Sequence, residues 1–307
     1  MSMSLLTFKG PFRTVVRLHR HTLWALAALT AVCLAAVAAL RSWAGPAAES
    51  GPPNEGWRLL QLGMQYTGTG LLFLPVLVGA FAAGPLTARE LESGTWRLAL
   101  TQSSGPRAWL GARVLVAATA AALASAVLVG IYRLGWARVP NTHQLHWADR
   151  GTYEATGPVL VAYCLLGVAL GVLVGQLVRR TLAAMAVTGL LTSLAVLGFG
   201  SLRWSILPTQ TNTLPYPGRP FGAPGSALVT DSGLLTGSGE RLPYDACFAR
   251  TKNLDNCPAD MNITARYTEF HPASHHWPTQ LIETSLALSL AVIALWAAFR
   301  LARTGRA

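Results

Sequence analysis

Residue types that perform chemistry are sparse in this 307-residue sequence, and ATP hydrolysis is the first reaction to consider. Lysine occurs twice, at Lys9 and Lys252. A phosphate-binding loop needs a glycine-rich turn and then a lysine followed by serine or threonine at the start of a helix, because backbone N–H groups and the ammonium group cradle the phosphates. Neither lysine stands in such a run. We therefore predict that the chain has no ATPase motif and is not an enzyme.

Three histidines near the C-terminal end raise the possibility of a metal site. His271, His275 and His276 precede Trp277. Zinc sites combine histidine with cysteine or carboxylate ligands at set spacings, and no such pattern joins these histidines. We predict a solvated rim here and no metal site.

One acidic residue, Glu283, falls inside a long apolar run. An ionisable group at the middle of a membrane costs about 2.5–3.5 kcal/mol, and less near the interface. Because Glu283 lies close to the outer end of its run, two interpretations remain open. It is either an interfacial anchor or a residue of a translocation path.

The four cysteines fall into two classes. Cys33 and Cys164 lie in apolar runs, where cysteine behaves as a small apolar side chain. Cys247 and Cys257 lie in a long polar segment with nine residues between them. In an oxidising compartment they would close a disulfide loop worth about 2–4 kcal/mol. The alternative is two free thiols.

A dense charged segment between two apolar runs is Ala88–Thr95, which reads Ala-Arg-Glu-Leu-Glu-Ser-Gly-Thr. Residues 68–87 before it and 114–132 after it contain no Asp, Glu, Lys or Arg. Gly94 is placed to end a charged helical turn, and Thr95 is placed to cap the next helix. We interpret the segment as a docking surface at a membrane face. The alternative is a solvated loop with ordinary caps.

The composition indicates a membrane protein, because 52% of the residues are hydrophobic and 12% are charged. The charged fraction is about half that of an average soluble domain. A helix of about 20 apolar residues spans the ~30 Å hydrocarbon layer. We predict one all-α polytopic domain over residues 1–307. Its six predicted spans are 23–41, 68–87, 110–132, 157–178, 181–202 and 279–299.

Basic residues indicate the orientation of these spans. With both termini inside, the inner segments hold 13 of the 24 Lys and Arg and two of the 13 acids, so the net charge of +11 falls on the inner face. Membrane proteins show this positive-inside bias. The basic charge therefore indicates topology and not a nucleic-acid partner. Residues 88–108 become a cytosolic segment, and residues 203–277 become a large extracytoplasmic loop.

The N-terminal residues 1–22 carry a basic arc and an apolar arc at helical spacing. This pattern predicts an interfacial helix on the inner leaflet of the lipid bilayer. The alternative is a disordered basic leader.

A stripe of glycines marks the fourth predicted span. Gly167, Gly171 and Gly175 place residues without side chains on one helix face, which favours the close approach of another helix. The pattern does not specify whether that helix belongs to the same chain.

The charged segment and its surroundings resemble a known family, the type-2 ABC transporter permeases. The residues similar to the family's first intracellular segment are Arg89-Glu90, Gly94-Thr95, Arg107, Trp109 and Arg113. Residues 267–283, especially His271-Pro272-Ala273-Ser274, are similar to the beginning of the last span in a bacterial subgroup. With the span layout, the likeness covers nearly the whole chain, although the outer loop is long for the compact members of the family.

The resemblance implies an exporter membrane subunit whose energy comes from a separate ATPase subunit. That partner would bind ATP and magnesium and dock on residues 88–95, and two permease chains, identical or different, would pair with two ATPase chains. The residues expected to contact the ATPase subunit are Arg89, Glu90, Glu92, Gly94, Thr95 and Arg107. Arginine exceeds lysine and alanine is abundant, which indicates a GC-rich bacterial genome and hence a bacterial plasma membrane, with both termini cytoplasmic.

Three other functions stay open. A transport-inactive sensor or immunity subunit would bind an ATPase and use the outer loop for its ligand. An ion-coupled secondary transporter would need more ionisable residues at membrane depth than this sequence places there. A membrane-embedded enzyme would need a paired acid, base or nucleophile at that depth.

Overall fold

A computed structural model describes residues 20–45, 54–94, 106–140, 145–218 and 222–303. The chain divides into two compact units, residues 1–201 with 280–307 and residues 202–279. We call the first the helical unit and the second the sheet unit. Most of the predicted interfacial helix 1–22 lies outside the described residues.

The described part of the chain contains ten α-helices, separated by turns, short 3₁₀ helices and a small sheet. In chain order they are α1 (Arg20–Trp43), α2 (Glu55–Leu71), α3 (Leu74–Leu77), α4 (Gly84–Ser93), α5 (Pro106–Trp136), α6 (Thr152–Thr156), α7 (Val159–Val178), α8 (Thr181–Leu202), α9 (Phe248–Thr251) and α10 (His276–Arg303).

Long apolar helices confirm a polytopic membrane protein. A helix suits a membrane because it satisfies its backbone N–H and C=O groups internally. Within the described ranges, five helical stretches are long and apolar enough to cross a membrane. They are Glu55–Ser93, Trp109–Trp136, Val159–Val178, Thr181–Ser205 and Ala273–Arg303. The apolar part of α1, Thr30–Trp43, is shorter than these five stretches. A sixth span in α1 therefore stays a prediction.

The helix that carries the second predicted span is longer than residues 68–87. It runs from Glu55 to Ser93, with a π-helical turn at Val78–Ala83 between α3 and α4. At the end of this turn, the N–H of Gly84 donates to the carbonyl of Gly79, five residues earlier. Pro85 follows, and a proline ring clashes with the carbonyl four residues before it in a regular α-helix. The wider turn relieves that clash, so the chain continues as a helix into the charged segment.

Helix α7 is the buried centre of the helical unit. In the most apolar stretch of α7, 78% of the residues are buried, whereas in the most apolar stretch of Thr181–Ser205 only 17% are buried. Residues of α7 such as Val168 and Val172 pack in one cluster with Val114 of α5 and Ala298 of α10. Burial on all sides explains why α7 has an apolar sequence without a polar face.

The three glycines of α7 face the α3–α4 stretch of the same chain. A Cβ atom built on Gly167 would lie 2.7 Å from the carbonyl oxygen of Pro75, and one built on Gly175 would clash with Thr87. Contacts this short mean that the two helices touch backbone to backbone. The partner helix that the glycine stripe left unspecified is therefore the one that ends in the charged segment.

The sheet unit corrects the expectation of an all-α protein, because residues 202–279 contain a four-stranded antiparallel sheet. Its strands are β1 (Gln210–Pro215), β2 (Leu228–Thr236), β3 (Arg241–Pro243) and β4 (Ile263–His271), in the order β1-β4-β2-β3. Edge strand β1 is almost wholly exposed, whereas β4 has three consecutive buried residues at Arg266, Tyr267 and Thr268. In residue type, β1 does not alternate, whereas Ile263–Thr268 of β4 alternates apolar and polar residues, the period of two that is typical of a strand.

Cys247 and Cys257 form a disulfide in the sheet unit. Cys33 and Cys164 are free thiols, and Cys164 is buried. The bridge closes the segment that contains α9, between β3 and β4.

Candidate functional site

Residues 88–93 of the charged segment proposed as a docking surface form the last turns of α4, which ends at Ser93. Arg89, Glu90 and Glu92 lie on these turns and point in different directions, because successive residues of a helix are rotated by about 100°. Thr87 and Ala88, just before them, are fully buried. The segment is therefore anchored by one helix face and presents charges on the others.

Glu90 forms an ion pair with Arg113, near the start of α5. The side chains of Arg113 and Glu90 are 31% and 24% exposed, so water screens the pair only in part. The guanidinium carbon of Arg113 also lies 4.7 Å from the centre of the Trp109 ring, a cation–π geometry. Glu90 thus joins the end of α4 to the start of α5.

Glu92 binds the first residue of α8. Its carboxylate accepts a hydrogen bond from the backbone N–H of Thr181, with a nitrogen–oxygen distance of 2.8 Å, and another from the Thr181 hydroxyl. The first N–H groups of a helix have no partner within it, and they carry partial positive charge. A carboxylate from α4 therefore caps α8.

The other residues predicted to contact an ATPase subunit have different environments. Arg89 and Arg107 are exposed, and neither pairs with any other residue that the structure describes. Gly94 ends α4 with a φ of 71°, the left-handed conformation that glycine adopts without strain. Thr95 and residues 96–105 of the predicted cytosolic segment lie outside the described residues.

The charged residues at the end of α4 and the start of α5 suit the binding of another protein better than they suit acid–base catalysis. Both carboxylates already accept hydrogen bonds or pair with a cation, and arginine stays protonated in proteins. Within the described ranges, no group of three or more His, Cys, Asp and Glu could hold a metal ion. Among the described residues at this end of α4 and α5, Arg89 and Arg107 carry exposed guanidinium groups without a described ion-pair partner.

Glu283, the translocation-path candidate, is fully buried in the helical unit. Its carboxylate accepts a hydrogen bond from the hydroxyl of Tyr163 in α7. One turn earlier on α10, the amide nitrogen of Gln280 donates to the carbonyl of Tyr153 at 2.6 Å, and its oxygen accepts from the N–H of Val159. Polar contacts therefore join α10 to α7 in the protein interior.

The sequence analysis did not identify Thr181 and Tyr163, although each left a signal. Thr181 follows two arginines and opens an apolar run, the position at which helices prefer a capped start. Tyr163 places a hydroxyl group within an uncharged span, where a polar group needs a partner. The residues that bind them, Glu92 for Thr181 and Glu283 for Tyr163, are far away in the sequence, so a local sequence pattern does not identify them.

The histidine cluster of the sheet unit differs from the solvated rim that we expected. His271 is buried, and its Nδ1 atom lies 3.1 Å from Nδ1 of His275. The ring of Trp204 lies 5.6 Å from that of His271. Burial, and then the nearby charge of His275, lower the pKa of His271 below its usual value.

The chain matches a known protein family. A family model described as ABC-2 membrane transporter related matches residues 21–203, more than half of the chain. No curated protein and no solved structure matches the chain.

Proposed function

Because the chain belongs to the ABC-2 membrane transporter related family, we propose that it is the membrane-spanning permease subunit of an ATP-driven exporter. The matched residues 21–203 include nearly all of α1–α8, and thus the charged end of α4. Permeases of this family generally work with an ABC ATPase subunit. The family match is the observation that carries the proposal.

In this proposal the ATPase partner docks on residues 88–95. Support comes from the geometry of α4, which ends in a charged segment with exposed Arg89 and with buried Thr87 and Ala88 behind it. A partner bound to the segment would move α4. The stretch that ends in α4 packs against α7 through close backbone contacts, so this movement would also act on α7. ATP binding, with magnesium, would close the partner's subunits and pull on α4, and the spans would alternate between inward and outward openings.

The finer topology belongs to the same proposal. The chain has six spans in a bacterial plasma membrane, both termini are cytoplasmic, and an N-terminal interfacial helix precedes the first span. The sheet unit is then extracytoplasmic, which agrees with its disulfide, because disulfides persist in oxidising compartments. Two permease chains and two ATPase chains form the working unit.

The experiment co-expresses the tagged chain with each ABC ATPase of the same cell, beginning with any that is encoded beside its gene, and measures co-purification and ATP hydrolysis in lipid nanodiscs. We expect the ATPase to co-purify and its hydrolysis rate to change when the permease is present. An ATPase variant without its phosphate-binding lysine is the control for background hydrolysis. No association with any ABC ATPase of the same cell would contradict the proposal.

A second candidate is a transport-inactive sensor or immunity subunit that also binds an ATPase. The sheet unit favours this candidate, because residues 202–279 form a compact folded unit with its own disulfide. A folded unit of this size offers a surface for recognising a ligand. Efflux of labelled lipids, peptides and amphiphilic drugs from cells with and without the chain distinguishes a pump from a sensor.

A further inference from the structure

We propose that Glu90 and Glu92 do not contact the ATPase subunit but are positioning residues that transmit movement of α4 to α5 and α8. The inference rests on the proposed permease function and divides the roles within residues 88–95. Arg89 and Glu92 are both exposed, but Arg89 remains available to the partner, whereas Glu90 and Glu92 are bonded to residues of α5 and α8.

The first step of the argument is that Glu90 connects two different helices. Its partner Arg113 lies on α5 and is itself held over the Trp109 ring. A guanidinium group that pairs with a carboxylate and also stacks on an aromatic ring has a well-defined position. Moving the end of α4 therefore either moves the start of α5 or breaks the ion pair.

The second step is that Glu92 connects α4 to the start of α8. The N–H of Thr181 is one of the helix-terminal donors that lack a partner within α8. Glu92 satisfies both this donor and the Thr181 hydroxyl. If α4 moves alone, the start of α8 loses its cap, so the two helix ends favour moving together.

The third step is that α4 also packs against α7 without using either carboxylate. The Thr87 hydroxyl lies 3.4 Å from the carbonyl oxygen of Val172, and a Cβ atom on Gly175 would lie 3.1 Å from the N atom of Ala88. Packing holds α4 in place even when the carboxylates are changed. Loss of Glu90 or Glu92 should thus uncouple the helices and leave the docking segment folded.

The test uses the co-expressed complex and two readouts, co-purification of the ATPase and movement of the helix starts. Spin labels at Leu115 of α5 and Leu182 of α8, both exposed, are each paired with a label at exposed Val292 of α10, and the two distances report the movement of each helix with and without ATP and vanadate. The variants are Glu90→Ala and Glu92→Ala, with the conservative variant Glu92→Gln, which keeps a hydrogen-bond acceptor. Glu55→Gln is the matched control, because the ion pair of Glu55 with Arg58 lies within α2 and joins no second helix.

We expect both alanine variants to co-purify the ATPase as the unchanged protein does and to lose the ATP-dependent distance change. Glu92→Gln should keep that change in part, and the double variant Glu90→Arg with Arg113→Glu should restore it. The control should change neither readout.

Loss of co-purification in the alanine variants would overturn the inference, because the carboxylates would then contact the partner. An unchanged distance response would overturn it as well. If the unchanged protein fails to bind any ABC ATPase, the proposed function itself fails, and this result is distinct from both outcomes for the variants.

Discussion

A methyl group on Gly171 would lie 2.5 Å from the Cβ atom of Ala83. The same position is 2.7 Å from the carbonyl carbon of Ala83, so the close neighbours include backbone that cannot rotate away. Ala83 ends the π-helical turn that precedes α4. The contact between α7 and the helix leading to the charged segment therefore requires glycine at position 171.

The first prediction concerns this contact. Gly171→Ala should lower the thermal unfolding midpoint of the purified protein in detergent, because overpacking costs about 1–3 kcal/mol. Gly198→Ala is the matched control, because a Cβ atom there meets nothing within 4 Å. The control should be neutral or slightly stabilising, since alanine favours helix over glycine. Equal midpoints for the two variants would contradict the prediction.

The second prediction concerns the hydroxyl that binds Glu283. Tyr163→Phe removes the donor and leaves the buried carboxyl group of Glu283 without this hydrogen bond, which should destabilise the protein by about 1–3 kcal/mol, the usual cost of a buried polar group that loses its partner. The aromatic ring remains, so its contact with Phe199 is kept. Thermal unfolding measures the effect, and Tyr66→Phe is the control because Tyr66 is 73% exposed. A loss as large in the control would show that the hydroxyl of Tyr163 has no special role.

The third prediction compares two buried glutamines with opposite environments. Neither amide atom of Gln176 has a hydrogen-bond partner within the described ranges, whereas both amide atoms of Gln280 do. A buried polar group without a partner costs about 1–3 kcal/mol. Gln176→Leu should therefore raise the thermal midpoint, and Gln280→Leu should lower it. Changes of the same sign would disprove this reading of the two sites.

The fourth prediction concerns the disulfide. Replacing Cys247 and Cys257 together by serine should destabilise the sheet unit by about 2–4 kcal/mol, because the bridge restricts the unfolded chain. Protease digestion followed by mass spectrometry should find new cleavage sites within residues 202–279. Cys33→Ser, at a free thiol of the helical unit, should leave this cleavage pattern unchanged. Identical patterns for all three proteins would count against the prediction.

The fifth prediction concerns pH. The pKa of His271 is lowered in the folded protein, so the unfolded chain binds the proton first as the pH falls. The sheet unit should have its full stability above about pH 6.5 and lose stability between that value and the lowered pKa. Proteolysis of the sheet unit at increasing urea concentrations measures this loss, and His271→Phe should flatten it. A variant that loses more stability than the unchanged protein as the pH falls would contradict the prediction.

Sequence reasoning identified the family and the membrane character, and the family match and the five long apolar helices confirm both. It did not predict the sheet unit. Strand β4 pairs with β1 and β2, which lie dozens of residues before it, and strand pairing of this kind leaves no signal in a local window. Within β4, Ile263–Thr268 alternates apolar and polar residues, a strand signal that the sequence analysis did not use.

The sequence by itself determined where the apolar helices lie and where the charge concentrates, because both follow from the residue types within a window of about 20 residues. Only the tertiary structure decided what the acidic residues do. Glu90 forms an ion pair with Arg113, Glu92 accepts a hydrogen bond from Thr181, and Glu283 accepts one from Tyr163. In each case the partner lies on another helix. Side-chain partners depend on which helices pack together, and packing is a property of the whole helical unit that no single segment encodes.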